Sequence, residues 1–181
     1  MSTTATFPAW AERVQAVTKA QFLDLYEAEH ATTMKVLRAY PRDELDFKPH
    51  PRSNTARELA WLFVLERQLG KMVFQDAFAN GVPAGQAPPS PPESWDELLA
   101  VLEQAHREFG DLVRGMSEEQ LSERVHFMVA PKTLGLVPRL WFAWFLLHDE
   151  IHHRGQFSVY LRMVGGKVPS IYGPSADEPW I

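Results

Sequence analysis

Cysteine is absent from the 181-residue chain. That excludes disulfides, thiolate metal ligands and a cysteine nucleophile, and it fits a reducing compartment. A basic excess is missing too: 18 Lys and Arg stand against 23 Asp and Glu, a formal net charge of −5. A general nucleic-acid binder needs the opposite balance, so no nucleic-acid partner is expected. No uninterrupted apolar stretch is long enough to span a bilayer, and Met1 to Pro8 contains no basic segment leading into an apolar run. Neither a membrane partner nor a signal peptide is expected, which leaves the cytoplasm as the default location. There is no glycine-rich phosphate loop. Gly165 and Gly166 follow a helical pattern rather than a strand and read as a helix stop.

What is present belongs to an ordinary soluble globular protein. Hydrophobic residues make up 45% and charged residues 23%, and the length suits one domain over residues 1–181 with a sizeable core. Residues 1–17 read as a loose start with a short helical piece from Trp10 to Val17. Four long helices are expected, at about 18–40, 55–79, 94–115 and 138–164. Pro41 ends the first. Thr55 with Glu58, and Ser94 with Glu97, have the spacing of capping boxes that start the second and third. Ser117 with Gln120 suggests a short extra turn, and Val125 to Val129 a short extended piece. Residues 81–93 are a proline-rich linker. The tail after Gly165 keeps Val168, Ile171, Tyr172 and Trp180, so it is expected to pack back on the helices. The fold class is all-α, a four-helix bundle.

The last helix carries the chemistry. Each residue turns the wheel by about 100°. With His148 at the origin, Trp141, Phe142, Phe145, Leu146, Val159, Tyr160, Met163 and Val164 fall in one half. Glu150, Arg154, Ser158 and Arg162 fall in the other. Asp149 and Gln156 then lie at the middle of the apolar half, flanked by His152 and His153, with His148 at its edge. Polar groups placed where a core is expected need partners: each other, water or a metal ion. His148 with His152, and Asp149 with His153, are pairs four residues apart that share a helix face, and each is half of a metal site. The second helix has no histidine and offers Glu58 and Glu66 as carboxylates. His30 and His106 are expected at the surface or the rim. Trp144, Leu147 and Ile151 suggest that this helix is covered on a second side, as by a homodimer partner.

At this point the chain resembles the DinB/YfiT-like family of bacterial four-helix bundles. The residues that carry the resemblance are His152-His-Arg-Gly-Gln156, Ser158 to Met163, Gly165, and Val168-Pro-Ser-Ile-Tyr-Gly-Pro-Ser-Ala-Asp177, with Glu58-Leu-Ala60 entering the second helix. It spans about residues 18–178. The resemblance implies a divalent metal (zinc, nickel, manganese or iron) held by three histidines. His153 matches one of these. Asp149 stands at the second position, and Leu62 (or Trp61) stands at the helix-two position, where neither can ligate. The metal candidates are therefore Asp149, His153, His152 and His148, with Glu58 or Glu66 able to enter. The resemblance further implies a metal-dependent transferase that joins a low-molecular-weight thiol to an electrophile, or a related detoxification or hydrolase activity. The alternative is a non-catalytic, homodimeric, stress-related or ligand-binding bundle that has lost its metal.

Overall fold

The computed structural model describes residues 18–83 and 87–181; the helical piece expected from Trp10 to Val17 lies outside the described residues. In chain order the elements are α1 (Lys19–Arg38), α2 (Ala56–Phe74), α3 (Trp95–Gly115), α4 (Glu118–Ser122), β1 (Arg124–Ala130), β2 (Thr133–Pro138) and α5 (Arg139–Met163). Among the described residues no helix is long and apolar enough to cross a membrane.

The helix starts follow local chemistry. Thr18, Thr55 and Ser117 each form a complete capping box, whereas Ser94 accepts from the Glu97 N–H without the reciprocal bond. The second helix stops five residues before the expected end, at Phe74. Asp76 takes a left-handed φ of 54°, and the Asp76 and Ala77 N–H groups donate back to Val73 and Met72. This closes the helix as glycine usually does. The Asp76 carboxylate also accepts from the His126 backbone N–H at 2.7 Å, which pins β1 to the end of α2. Gly165, with φ 78°, closes α5 in the same way.

The four long helices form a ring in which α1 neighbours α3, α3 neighbours α2, α2 neighbours α5, and α5 neighbours α1. Glu66 with His153 and Asn54 with Tyr160 show that α5 runs antiparallel to α2, whereas Phe22 with Trp144, Thr33 with Glu150 and Tyr40 with Phe157 show that it runs parallel to α1. Gly70 allows the close approach: a Cβ there would lie 2.7 Å from the Phe109 ring and 2.8 Å from Leu146. Between α3 and α5 the chain makes α4 and an antiparallel β1–β2 hairpin, with Arg124 paired to Pro138. The extended piece expected over 125–129 is the core of β1, and β2 was not expected. The tail packs back, with Val168 and Ile171 against the core, Asp177 on Arg162 and Glu178 on Lys35 at 2.8 Å.

The wheel of α5 needs correction. Its buried residues include Ala143, Leu147, Glu150, Arg154, Phe157 and Leu161, while His148, His152, Gln156, Val159 and Met163 are exposed. The seam is thus turned toward two charges that a hydrophobic wheel places outside. Aromatic and aliphatic side chains surround this helix, so apolarity alone does not select a face. The partners of the two charges do. Glu150 accepts from Thr33 and from Arg67, both at 2.7 Å. Arg154 pairs with Glu29 at 2.6 Å and also reaches the Tyr172 hydroxyl. All of these charged groups are buried. Trp144, expected to be covered on the side away from the polar cluster, is buried edge-on against Phe22 of α1.

His106 also differs from expectation, whereas His30 is half-buried, as a rim residue would be. His106 is buried, sandwiched between Tyr26 at 4.1 Å and His30 at 3.6 Å. Burial lowers the pKa of each imidazole to about 3, and the nearby Arg67 guanidinium adds to the effect.

Two outcomes follow from this packing. Glu150→Ala leaves Arg67 and Thr33 without their buried acceptor and is expected to cost about 3–5 kcal/mol in denaturant unfolding; a loss under about 1 kcal/mol would show that the pair is not buried as described. For His30 and His106 the folded pKa lies below the ordinary value of 6.5. Their neutral forms support folding above that value, and the support is lost as pH falls toward about 3. The urea midpoint is expected to drop between about pH 7 and pH 4, and less steeply in His106→Phe. An unchanged slope in that variant would remove His106 from the account.

Candidate metal centre

Glu66, Asp149 and His153 come together on the facing sides of α2 and α5. Each offers a ligand atom, and these atoms all lie within 4.8 Å of one another. Asp149 and His153 stand one helical turn apart, which places both on the same face of α5. Glu66 reaches them from α2 because the two helices run antiparallel in contact. The core residues Phe63, Val64 and Arg67 beside it set the rotation of α2.

The Glu66 Oε1 and His153 Nδ1 atoms are 2.6 Å apart, and Asp149 Oδ1 is 4.0 Å from the same nitrogen. Glu66 is buried, His153 half-buried, and the Asp149 side chain is 35% exposed, so the group opens to solvent on the Asp149 side. Phe63 meets the His153 ring edge-on at 6.4 Å. The second Glu66 oxygen, Oε2, is buried and accepts no hydrogen bond; its nearest positive group is the Arg67 guanidinium at 3.8 Å. Burial pushes the Glu66 carboxyl above the usual carboxylate range, while His153 and Arg67 pull it back. The hydrogen bond to Glu66 raises the His153 pKa against the opposing effect of burial.

Glu66 is also the last link of the buried chain of charges. Arg67 joins Glu150, and through Thr33 the chain continues to Arg154, Glu29 and Tyr172. The candidate centre is therefore held by α2 and α5 directly and by α1 and the tail at one remove.

Two expected ligands stand apart. His148 is exposed, with its ring 5.9 Å from that of Trp144. His152 is exposed and lies 2.8 Å from the amide nitrogen of Gln156. Neither joins the cluster, because the seam of α5 is turned toward Glu150 and Arg154. Of the two helix-two carboxylates, Glu58 is spent on the capping box, where it accepts from the Thr55 N–H at 2.7 Å. Glu66 is the one that faces His153. Spacing alone could not choose between them, although only Glu58 carried a capping signal.

The donor set is two carboxylates and one imidazole. Oxygen and nitrogen donors suit zinc, manganese, iron or nickel. A buried carboxylate oxygen without a hydrogen bond is the kind of atom that a cation satisfies. The residues present therefore fit a divalent ion.

Comparison with known proteins agrees with this architecture. Residues 25–157 match the family model of the DinB superfamily. The chain is 27% identical over 158 residues to the uncharacterized protein YrdA of Bacillus subtilis (strain 168), covering 87% of this chain and 89% of that protein. Among solved structures it is similar to a DinB-like protein from Bacillus cereus ATCC 10987, with TM-score 0.67, 21% identity, and coverage of 84% and 97%. It is also similar to YfiT from Bacillus subtilis, described as a probable metal-dependent hydrolase with an unusual four-helix bundle topology. There the TM-score is 0.63, with 14% identity and coverage of 84% and 93%.

The raised pKa of His153 has a direct check. Its folded value lies above the ordinary 6.5, so the pair supports folding fully below that value and loses this contribution as pH rises through the raised one. Glu66→Gln removes the negative acceptor and is expected to lower the His153 pKa in an NMR titration of the ring. An unmoved titration would mean that Glu66 does not set it.

Proposed function

The chain belongs to the DinB superfamily, and from that premise we propose that it is a divalent-metal-dependent enzyme whose ion is held by Glu66, Asp149 and His153. The observation that carries this reading is the convergence of three ligand atoms from two helices within 4.8 Å, one of them on a carboxylate whose second oxygen has no hydrogen-bond partner. The description of YfiT as a probable metal-dependent hydrolase supports it. When bound, the ion acts as a Lewis acid that lowers the pKa of a coordinated thiol or water. The reaction is then transfer of a low-molecular-weight thiol to an electrophile, or hydrolysis.

The chain's own groups divide the work by burial. Glu66 forms the dry wall and is braced by Arg67, at 3.8 Å. Asp149 stands at the solvent side, where an ion and a small molecule enter. His153 carries a proton toward Glu66 when it is charged, and it must release that proton to ligate, so metal uptake weakens on acidification. Leu62, partly buried against core residues, contributes no ligand.

A second reading is favoured by Leu62 and by the close Glu66–His153 pair: a non-catalytic, ligand-binding and homodimeric bundle in which that pair satisfies itself. One experiment separates the two. Elemental analysis after exposure to zinc, nickel, manganese or iron is expected to give about one ion per chain, with loss of the ion in Asp149→Ala and His153→Ala. The loaded protein is then expected to accelerate conjugation of a small thiol to a fluorogenic electrophile, or hydrolysis of an ester. Absence of uptake under every condition, with Asp149→Ala changing only stability, would establish the second reading instead.

A further inference from the structure

We propose that the cleft next to the candidate metal centre recognises the carboxylate of a small organic acid, with Arg52 as the anion-binding group. The proposal deepens the metal-enzyme reading by naming the class of its substrate, but the pocket stands on observations of its own.

The cleft has a volume of roughly 470 Å³ and is walled by Arg52, Ser53 and Asn54 from the loop before α2, Leu59 of α2, and Gln156 and Val159 of α5. That volume suits a small metabolite. Among the described residues its only charged wall is the exposed Arg52, and no carboxylate lines it. Among the described residues the Arg52 guanidinium has no acid partner. The arginines that flank it in sequence do: Arg42 holds Asp96 at 2.7 Å, and Arg57 lies 3.9 Å from Asp46. A planar guanidinium with free donors matches a carboxylate through two parallel hydrogen bonds.

The loop that presents Arg52 is ordered by its own bonds. The Arg52 N–H donates to His50 Nδ1 at 3.1 Å, and the Ser53 N–H donates to the His50 carbonyl at 2.9 Å. The Tyr160 hydroxyl donates to the Asn54 carbonyl at 3.0 Å, tying the loop to α5. Leu59 and Val159 add apolar walls, which suit a carbon skeleton and favour an organic acid over inorganic phosphate.

Position links the cleft to the chemistry. Gln156 follows His153 by three residues, about 4.5 Å of helical rise. Leu59 precedes Glu66 by seven residues on the antiparallel partner, about 10 Å of rise. The cleft therefore lies on the same pair of helices as Glu66, Asp149 and His153, about one to two helical turns from them. The exposed pair of His152 and Gln156 stands at the lip between the two places.

The test is NMR titration of the metal-stripped full chain with succinate, dimethyl succinate and inorganic phosphate. Succinate is expected to bind saturably in the millimolar range, with shifts confined to residues 50–54 and 156–160. The ester is expected to give none, phosphate to bind more weakly, and Arg52→Gln to weaken succinate by about tenfold or more. No saturable succinate binding, or equal binding of the ester or by Arg52→Gln, overturns the proposal. Metal uptake is measured separately on the same wild-type sample. Succinate binding without metal uptake would leave the pocket standing and overturn the enzyme reading. Metal uptake without succinate binding would do the reverse.

Discussion

The bundle depends on a run of alternating charges buried between α1, α2 and α5. Tyr172 and Glu29 meet Arg154, Thr33 bridges to Glu150, Glu150 holds Arg67, and Arg67 stands beside Glu66. Removing such charges from water is costly, and only near-complete mutual pairing offsets it. Each member is therefore constrained by its neighbours. The rotation of α5, the register of α5 on α1 and α2, and the return of the tail to α1 are all set by the same pairing.

The candidate metal centre is the solvent-facing end of that run. Toward the interior each charge has an opposite partner, although the Arg67 Nε has no hydrogen-bond acceptor. At Glu66 the closure is incomplete: one oxygen meets His153 and the other has no hydrogen bond. A buried carboxylate with capacity left over, next to an imidazole and a half-exposed carboxylate, is the point where a cation would lower the free energy of the fold most. This connects stability to function, since the groups that would hold an ion are kept in place by ion pairs made for packing. Leu62 faces no ligand role here, and Glu66, one turn further along α2, is the residue of that helix that meets His153.

Much of the fold could be read from local chemistry. Thr18, Thr55 and Ser117 start their helices with bonds that involve residues three apart, and Gly165 ends α5 through backbone geometry alone. Asp76 was harder to read, because an aspartate in a left-handed turn is recognised only when its carboxylate finds the His126 N–H fifty residues away. Strand β2 was hidden for a related reason: Leu134, Gly135 and Leu136 have weak strand character until β1 pairs with them. His106 looked like a rim residue because its stacking partners, Tyr26 and His30, lie on another helix.

Among the described residues the sequence by itself determined the four long helices, their starts, and the placing of Asp149 and His153 on one face, since those depend on spacings of three and four residues. Tertiary structure decided which face of α5 is buried, which helix-two carboxylate meets His153, and that His148 and His152 stand outside the cluster. The physical reason is that burial of Glu150 and Arg154 is favourable only with Glu29, Thr33 and Arg67 in place. Those partners come from other helices, so no pattern within α5 can announce them.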